Sequence, residues 1–207
     1  MAWSTERILS ERSLWFFSGR LALDFAASGT RGRSVVKLDR LRDPESFARW
    51  LVDSGLVRPP SIRLTEVASA RELREAIFDA AEAAVQGKTL PRAARAVINE
   101  RASRTPLVPR ITSSGRRRFS AAAPVEAALA TIARDAIDLL VGPDRERLRE
   151  CASTSCGLLF VDRSHAGRRR WCTMDYCGNR VKVASYRRRK ASAEGIGSSK
   201  GRRRRAR

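Results

Sequence analysis

Apolar side chains return at steps of three and four along much of this chain, which is the period of a helix with one buried face. Between Thr65 and Gln86 the positions Val67, Ala70, Leu73, Ile77, Ala81, Ala84 and Val85 follow that period, and Gly87 stands where a helix would stop. Pro124 to Val141 carries the strongest pattern. Val125, Ala128, Leu129, Ile132, Ala133, Ala136, Ile137 and Leu140 fall on one side, with Glu126, Arg134, Asp135 and Asp138 on the other, and this predicts a core helix. Asp43-Pro44-Glu45 supplies a cap, a proline at the first helical position and an early acid. Phe47, Trp50 and Leu51 then form a face that runs until Gly55. Between the long helices, Leu107 to Ile111 and Arg117 to Ala121 flank Thr112-Ser113-Ser114-Gly115, a hairpin whose first strand Pro109 restricts to an edge.

This periodicity ends near residue 150, and the composition changes there too. Residues 1–150 hold 26 basic and 19 acidic side chains, whereas 151–207 hold 16 and three, so most of the net charge of +20 lies in the last quarter of the chain. The predicted organisation is a mainly helical domain over 1–146 for ligand sensing or dimerisation, a small finger over 147–191, and a disordered basic tail over 192–207. The tail is rich in Gly, Ser, Lys and Arg and has too little to bury to offset its ordering entropy. A charge of this sign and size asks for a polyanionic partner. No run approaches 18 uncharged apolar residues, and Leu14 to Phe17 is too short for a secretory signal. A cytoplasmic protein with no membrane partner is therefore expected.

All four cysteines fall in the same basic region, in the pattern C-x4-C-x15-C-x4-C formed by Cys151, Cys156, Cys172 and Cys177. Two short pairs across one loop suit a tetrahedral ion, and the expected cofactor is one structural zinc. Two disulfides would satisfy the same count, but a reducing compartment opposes them, and so small and charged a region needs a staple in order to fold. His165 in place of one thiolate is a lesser variant. Four thiolates also close the coordination sphere and leave no position for an activated water. Asp175 is a candidate cap for a helix over Tyr176 to Lys190.

The run from Cys151 and Cys156-Gly157 through Phe160-Val161-Asp162-Arg163-Ser164 and Arg169-Arg170-Trp171-Cys172-Thr173-Met174 to Cys177-Gly178-Asn179-Arg180-Val181-Lys182 resembles the CGNR zinc finger, a bacterial module named for four of those residues. Gly19-Arg20-Leu21-Ala22-Leu23-Asp24-Phe25 and the helix ending Ile137-Asp138-Leu139-Leu140 are similar to the ABATE-type domain that usually precedes it, described as a stress-induced transcription regulator. The resemblance implies a DNA-binding transcription regulator. Two positions depart from the family pattern, Thr173 for Ser and Ala26-Ala27 for Val-Asn. The fold expected on both grounds is mainly α with a small β-hairpin: a helical N-terminal domain followed by a small treble-clef-like or ribbon-like zinc finger.

Around the metal pattern stand Arg168, Arg169, Arg170, Arg180, Lys182, Arg187, Arg188, Arg189 and Lys190, enough cations to reach phosphates on both sides of a groove. Asn179 and Arg180 begin the expected helix, where an amide pairs with adenine and a guanidinium with guanine. The expected partner is double-stranded DNA, with a small-molecule effector or a second copy of the chain engaging the helical domain. An RNA- or ribosome-associated finger is the alternative, since phosphate attraction is common to both polymers. An enzyme is not expected. No histidine precedes His165, no cysteine lies outside the quartet, and Gly29-Thr30-Arg31-Gly32 is too short to be a phosphate loop. Arg20 and Asp24, four apart, read as a surface ion pair.

Overall fold

The computed structural model describes residues 16–29, 39–57, 59, 61–119 and 123–202, the last twelve as backbone alone. Thr30 to Gly32, Ala121 and the tail beyond Arg202 lie outside the described residues. The helical unit is built from α1 (Leu21–Ala26), α2 (Pro44–Asp53), α3 (Leu64–Val85), α4 (Arg92–Ala102) and α5 (Val125–Val141), with the hairpin β1 (Pro109–Ile111) and β2 (Arg117–Phe119) between α4 and α5. A 3-10 turn (Pro143–Arg147) leads to β3 (Leu148–Glu150), β4 (Leu159–Val161), a π-type turn (Met174–Gly178) and α6 (Asn179–Arg202). The protein is therefore mainly α with two small antiparallel hairpins.

The helices with the clearest sequence patterns, α2, α3 and α5, form where those patterns place them. Asp43 caps α2 by accepting from Ser46 N at 2.7 Å, with Pro44 in the first turn. The two strongest periods become α3 and α5, which pack on each other and on α4 and α1. Ile77, Ile132, Ala133, Ala136 and Leu139 are fully removed from solvent. Phe25 meets Trp50 edge-on, ring centres 5.0 Å apart, and closes the core over α1 and α2. Helix α4 carries only a thin apolar stripe of Ala94, Ile98 and Ala102, and it forms because α3 and α5 cover that stripe.

Strand β4 joins the two units. The β3–β4 register pairs Leu148 with Val161, Arg149 with Phe160 and Glu150 with Leu159. Alternation then turns Leu148, Leu159 and Val161 into the helical core and Phe160 to the opposite side, among the cysteines. The segment before α1 alternates the same way, with Phe16 on the helical core and Phe17 on the cysteine cluster. Ser18 O accepts from Val161 N at 2.8 Å, which lays this segment beside β4.

Two expectations change. Arg20 does not pair with Asp24: its guanidinium meets Asp135 at 3.0 Å and Asp144 at 3.1 Å, and Asp144 also takes Arg163 at 3.3 Å. Asp24 is buried instead and accepts from Ser18 N at 3.1 Å, because the turn before α1 folds back over it. Burial pushes its carboxyl up to about 7, against the opposing hydrogen bonds from Ser18 and Phe17. Second, Thr173 rather than Asp175 caps the helical segment of the finger, accepting from Tyr176 N at 3.1 Å, since the first turn there is π-type and starts at Met174. Helix α6 runs to Arg202, so the segment from residue 192 that the sequence assigns to the tail begins within it. Once a helix is nucleated each added residue costs little, and Ala191, Ala193, Lys200 and Arg202 favour helix while Gly195, Gly197 and Gly201 oppose it.

Candidate metal centre and nucleic-acid interface

The knuckle between Cys151 and Cys156 is a turn in which Cys156 N donates to Ser153 O at 3.1 Å. The second pair rides on the π-type turn, so Cys172 lies just before it and Cys177 within it. Phe160, Phe17, Leu158, Trp171 and Tyr176 wall the cluster, and all four cysteines are buried. Their ligand atoms lie within 4.8 Å of one another, with Cys156 Sγ to Cys172 Sγ at 3.8 Å and Cys172 Sγ to Cys177 Sγ at 3.5 Å. A tetrahedral zinc with Zn–S bonds of about 2.3 Å requires sulfurs about 3.8 Å apart, so the four residues fit the ion. The backbone N–H of Cys172 also points at Cys151 Sγ, 3.4 Å away, and stabilises a thiolate there. Hydrogen bonding with the other thiols, Cys151 first, together with burial, pushes the Cys172 thiol up. Four thiolates this close coexist only around a cation. The quartet can bind one zinc ion, which would supply a rigid crosslink between the two halves of the finger.

Around the cluster the polar side chains act as braces. Asp162 is buried yet its carboxyl is held below the usual range. Burial opposes the charge, and hydrogen bonds from Ser164 Oγ at 2.6 Å, Ser164 N at 2.9 Å and Arg169 N at 2.8 Å outweigh it. This closes the loop that carries Arg169 back to the metal ligands. The Arg169 guanidinium then lies over the Phe160 ring at 4.6 Å and donates to Trp171 O and Cys172 O. Arg180 does the same for the first knuckle: it bonds Ser153 Oγ and Ser155 Oγ and lies over Tyr176 at 5.0 Å. A Cβ at Gly178 would come within 2.7 Å of Met174 Sδ and 3.2 Å of the Trp171 ring, so a side chain there would displace the half-exposed end of Met174.

Residues 19–143, more than half of the chain, match the ABATE family, whose description is "putative stress-induced transcription regulator". The chain belongs to that family. Residues 147–190 match the CGNR zinc finger, so the two matches meet at the 3-10 turn before β3. No curated protein matches the chain.

The cations expected to meet nucleic acid thus divide within this CGNR finger. Arg169 and Arg180 are engaged in braces. Arg168, Arg170, Lys182, Arg187, Arg188, Arg189 and Lys190 are exposed, Arg170 lying over Trp171 at 5.1 Å, and Asn179 is exposed at the start of α6. At 3.6 residues per turn, Asn179, Lys182, Val183, Tyr186, Arg189 and Lys190 share one face of α6. Val183 and Tyr186 are 48% and 63% exposed on that face. Tyr186 is the functional candidate that charge counting missed, and its spacing of seven from Asn179 was its only signal. The braces Ser153, Ser155 and Tyr176 carried none, because their role appears only when Arg180 folds onto them.

Proposed function

We propose that this ABATE-family protein is a DNA-binding transcription regulator whose zinc finger lays the exposed face of α6 into the groove of a duplex. The observation that carries the reading is the face itself. From Tyr176 to Ala193 the chain has six cations and no carboxylate, and the face of α6 that carries Asn179, Lys182, Val183, Tyr186, Arg189 and Lys190 is exposed among the described residues, open to a partner. An amide, cations and two apolar side chains on one helix face suit base edges flanked by phosphates. Zinc fixes where that helix starts. The helical unit is the place for an effector or a second copy of the chain. A cleft of about 590 Å³ lined by Arg104, Leu107, Arg110 and Pro124 has the size of a ligand site. Neither family match describes an enzyme.

Selection from a random duplex pool with the zinc-loaded protein tests the reading. A recovered consensus, bound with a steep salt dependence, is expected. Enrichment of no sequence, or tighter binding to structured RNA than to any recovered duplex, overturns it in favour of an RNA-associated finger.

A further inference from the structure

The hairpin of the helical unit carries charge that its own fold opposes. Between Glu100 and Glu126 the chain has six arginines and no carboxylate. Four of them, Arg110, Arg116, Arg117 and Arg118, sit on β1, β2 and the residue entering β2, and all four are exposed. The register sets Arg110 directly opposite Arg118, a like-charge pair that destabilises a ribbon, and among the described residues no carboxylate neutralises either one. On the other face, Ile111 opposes Arg117 and is 86% exposed, while Arg117 lies over Phe119 at 5.3 Å. Val108, just before β1, is 64% exposed. The ribbon is nonetheless firmly rooted. Leu107 is buried with its N–H on Thr131 Oγ1 at 2.9 Å, Phe119 packs on the helical core, and Thr112 N bonds Arg116 O at 2.9 Å across the turn. This is a rigid two-stranded element with cations on both faces and apolar side chains beside them.

We propose that the β1–β2 ribbon is a second duplex-binding element, inserted edge-on into a groove with Arg110 and Arg118 toward one phosphate wall and Arg117 toward the other. It goes beyond the reading of α6, because it puts a nucleic-acid site in the ABATE unit, rooted against the N-terminal half of α5, whereas the finger leaves from the C-terminal end of that helix. A two-stranded ribbon is the width that a major groove admits, and phosphates on both sides relieve the Arg110–Arg118 repulsion that the free protein bears. A flat anionic bilayer would meet one face and leave the cations of the other in water.

The experiment compares full-length, zinc-loaded protein with two double variants of equal charge change. One is Arg117→Ala/Arg118→Ala, and the other is Arg92→Ala/Arg95→Ala on the exposed side of α4. Affinity for a random-sequence duplex is measured across a salt series. The ribbon variant is expected to bind about tenfold or more weakly, with the log–log salt slope flattened by about 0.9 for each arginine that meets a phosphate. The α4 variant should match wild type. Thermal midpoint serves as the fold check and should be unchanged or raised in the ribbon variant, since the opposed pair is gone. Equal losses in the two variants would reduce the effect to net charge and overturn the proposal, as would a ribbon variant that loses binding to phosphatidylserine vesicles but not to duplex. A third variant, Lys182→Ala/Arg189→Ala, separates the two sites. Loss there with none in the ribbon variant sinks the ribbon and leaves the finger reading standing, and the reverse pattern does the opposite.

Discussion

Removing the metal should weaken the helical unit as well as the finger. Cys172→Ser takes away one of four thiolates, and the remaining buried sulfurs lose the cation around which they ionise together. Strand β4 lies between Cys156 and Cys172, so releasing the finger draws Leu159 and Val161, 4% and 0% exposed, out of the helical core. A buried aliphatic side chain contributes about 1.5–3 kcal/mol, which makes the loss about 3–6 kcal/mol. The Val161 N–Ser18 O hydrogen bond adds about 1 kcal/mol. Against a typical domain stability of about 5–15 kcal/mol, that is about a quarter or more of the whole. The assay is thermal unfolding followed by helical circular dichroism, with wild type and variant held under reducing conditions, with and without a chelator. A single transition is expected, lowered by roughly 10–20 °C on metal loss at about 2–4 °C per kcal/mol for a chain of this size. If the helical signal melts at an unchanged temperature while the finger is shown unfolded by hydrogen exchange, β4 contributes nothing to the helical core and the shared seam is refuted.

Asp24→Asn tests the buried carboxyl. In the folded chain it holds its proton up to about pH 7, whereas an unfolded one releases it near the ordinary 3.8, so between those values the native state binds more protons and stability falls as pH rises. The variant should be more stable than wild type at pH 8 by up to about 4 kcal/mol and indistinguishable near pH 4, and parallel curves across that range would show that Asp24 is not the titrating group. Arg180→Ala should release the Ser153–Ser155 knuckle, speed zinc transfer to a chromogenic chelator and weaken binding to every duplex. Asn179→Ala should retain zinc and lose about 1–3 kcal/mol at the preferred site alone. The same zinc kinetics in both variants would contradict the division of roles. Gly142→Ala puts a Cβ about 2.5 Å from the Asp138 carbonyl oxygen at the end of α5 and should cost about 1–3 kcal/mol in chemical denaturation; a neutral result would mean that the turn into the finger can shift freely.

What could be read from the sequence was whatever depends on spacing along one element. The periods of α3 and α5, the Asp43-Pro44 cap and the Thr112 to Gly115 turn are each set by residues within a few positions of one another, and each formed as expected. The metal pattern belongs to the same class, because a knuckle places its two sulfurs by local geometry and only the closure of one loop brings the pairs together. Helix α4 escaped because its stripe is too thin to stand out, and α3 and α5 complete it. The roles of Arg169 and Arg180 were hidden for a related reason. A guanidinium looks the same in a sequence whether it faces phosphate or folds back on a carbonyl, and the difference lies in partners 3 and 27 residues away.

The seam between the two units shows the same limit more sharply. A change in charge density and cysteine content at residue 150 argues for two modules, and the family matches meet near the same place. Composition, however, reports what each segment is made of and not which surface its apolar side chains cover. In Leu159-Phe160-Val161 the outer pair and the middle residue face opposite ways, and in Phe16-Phe17 neighbouring rings do the same, so each short run supplies one wall to the helical core and another to the metal cluster. Two short runs thereby serve both units, with Phe16, Leu159 and Val161 on the helical core and Phe17 and Phe160 on the metal cluster. A module boundary drawn through the 3-10 turn follows the family matches, whereas the strand that lines the metal cluster also packs in the core that carries the helices, which is why the two units are expected to unfold together.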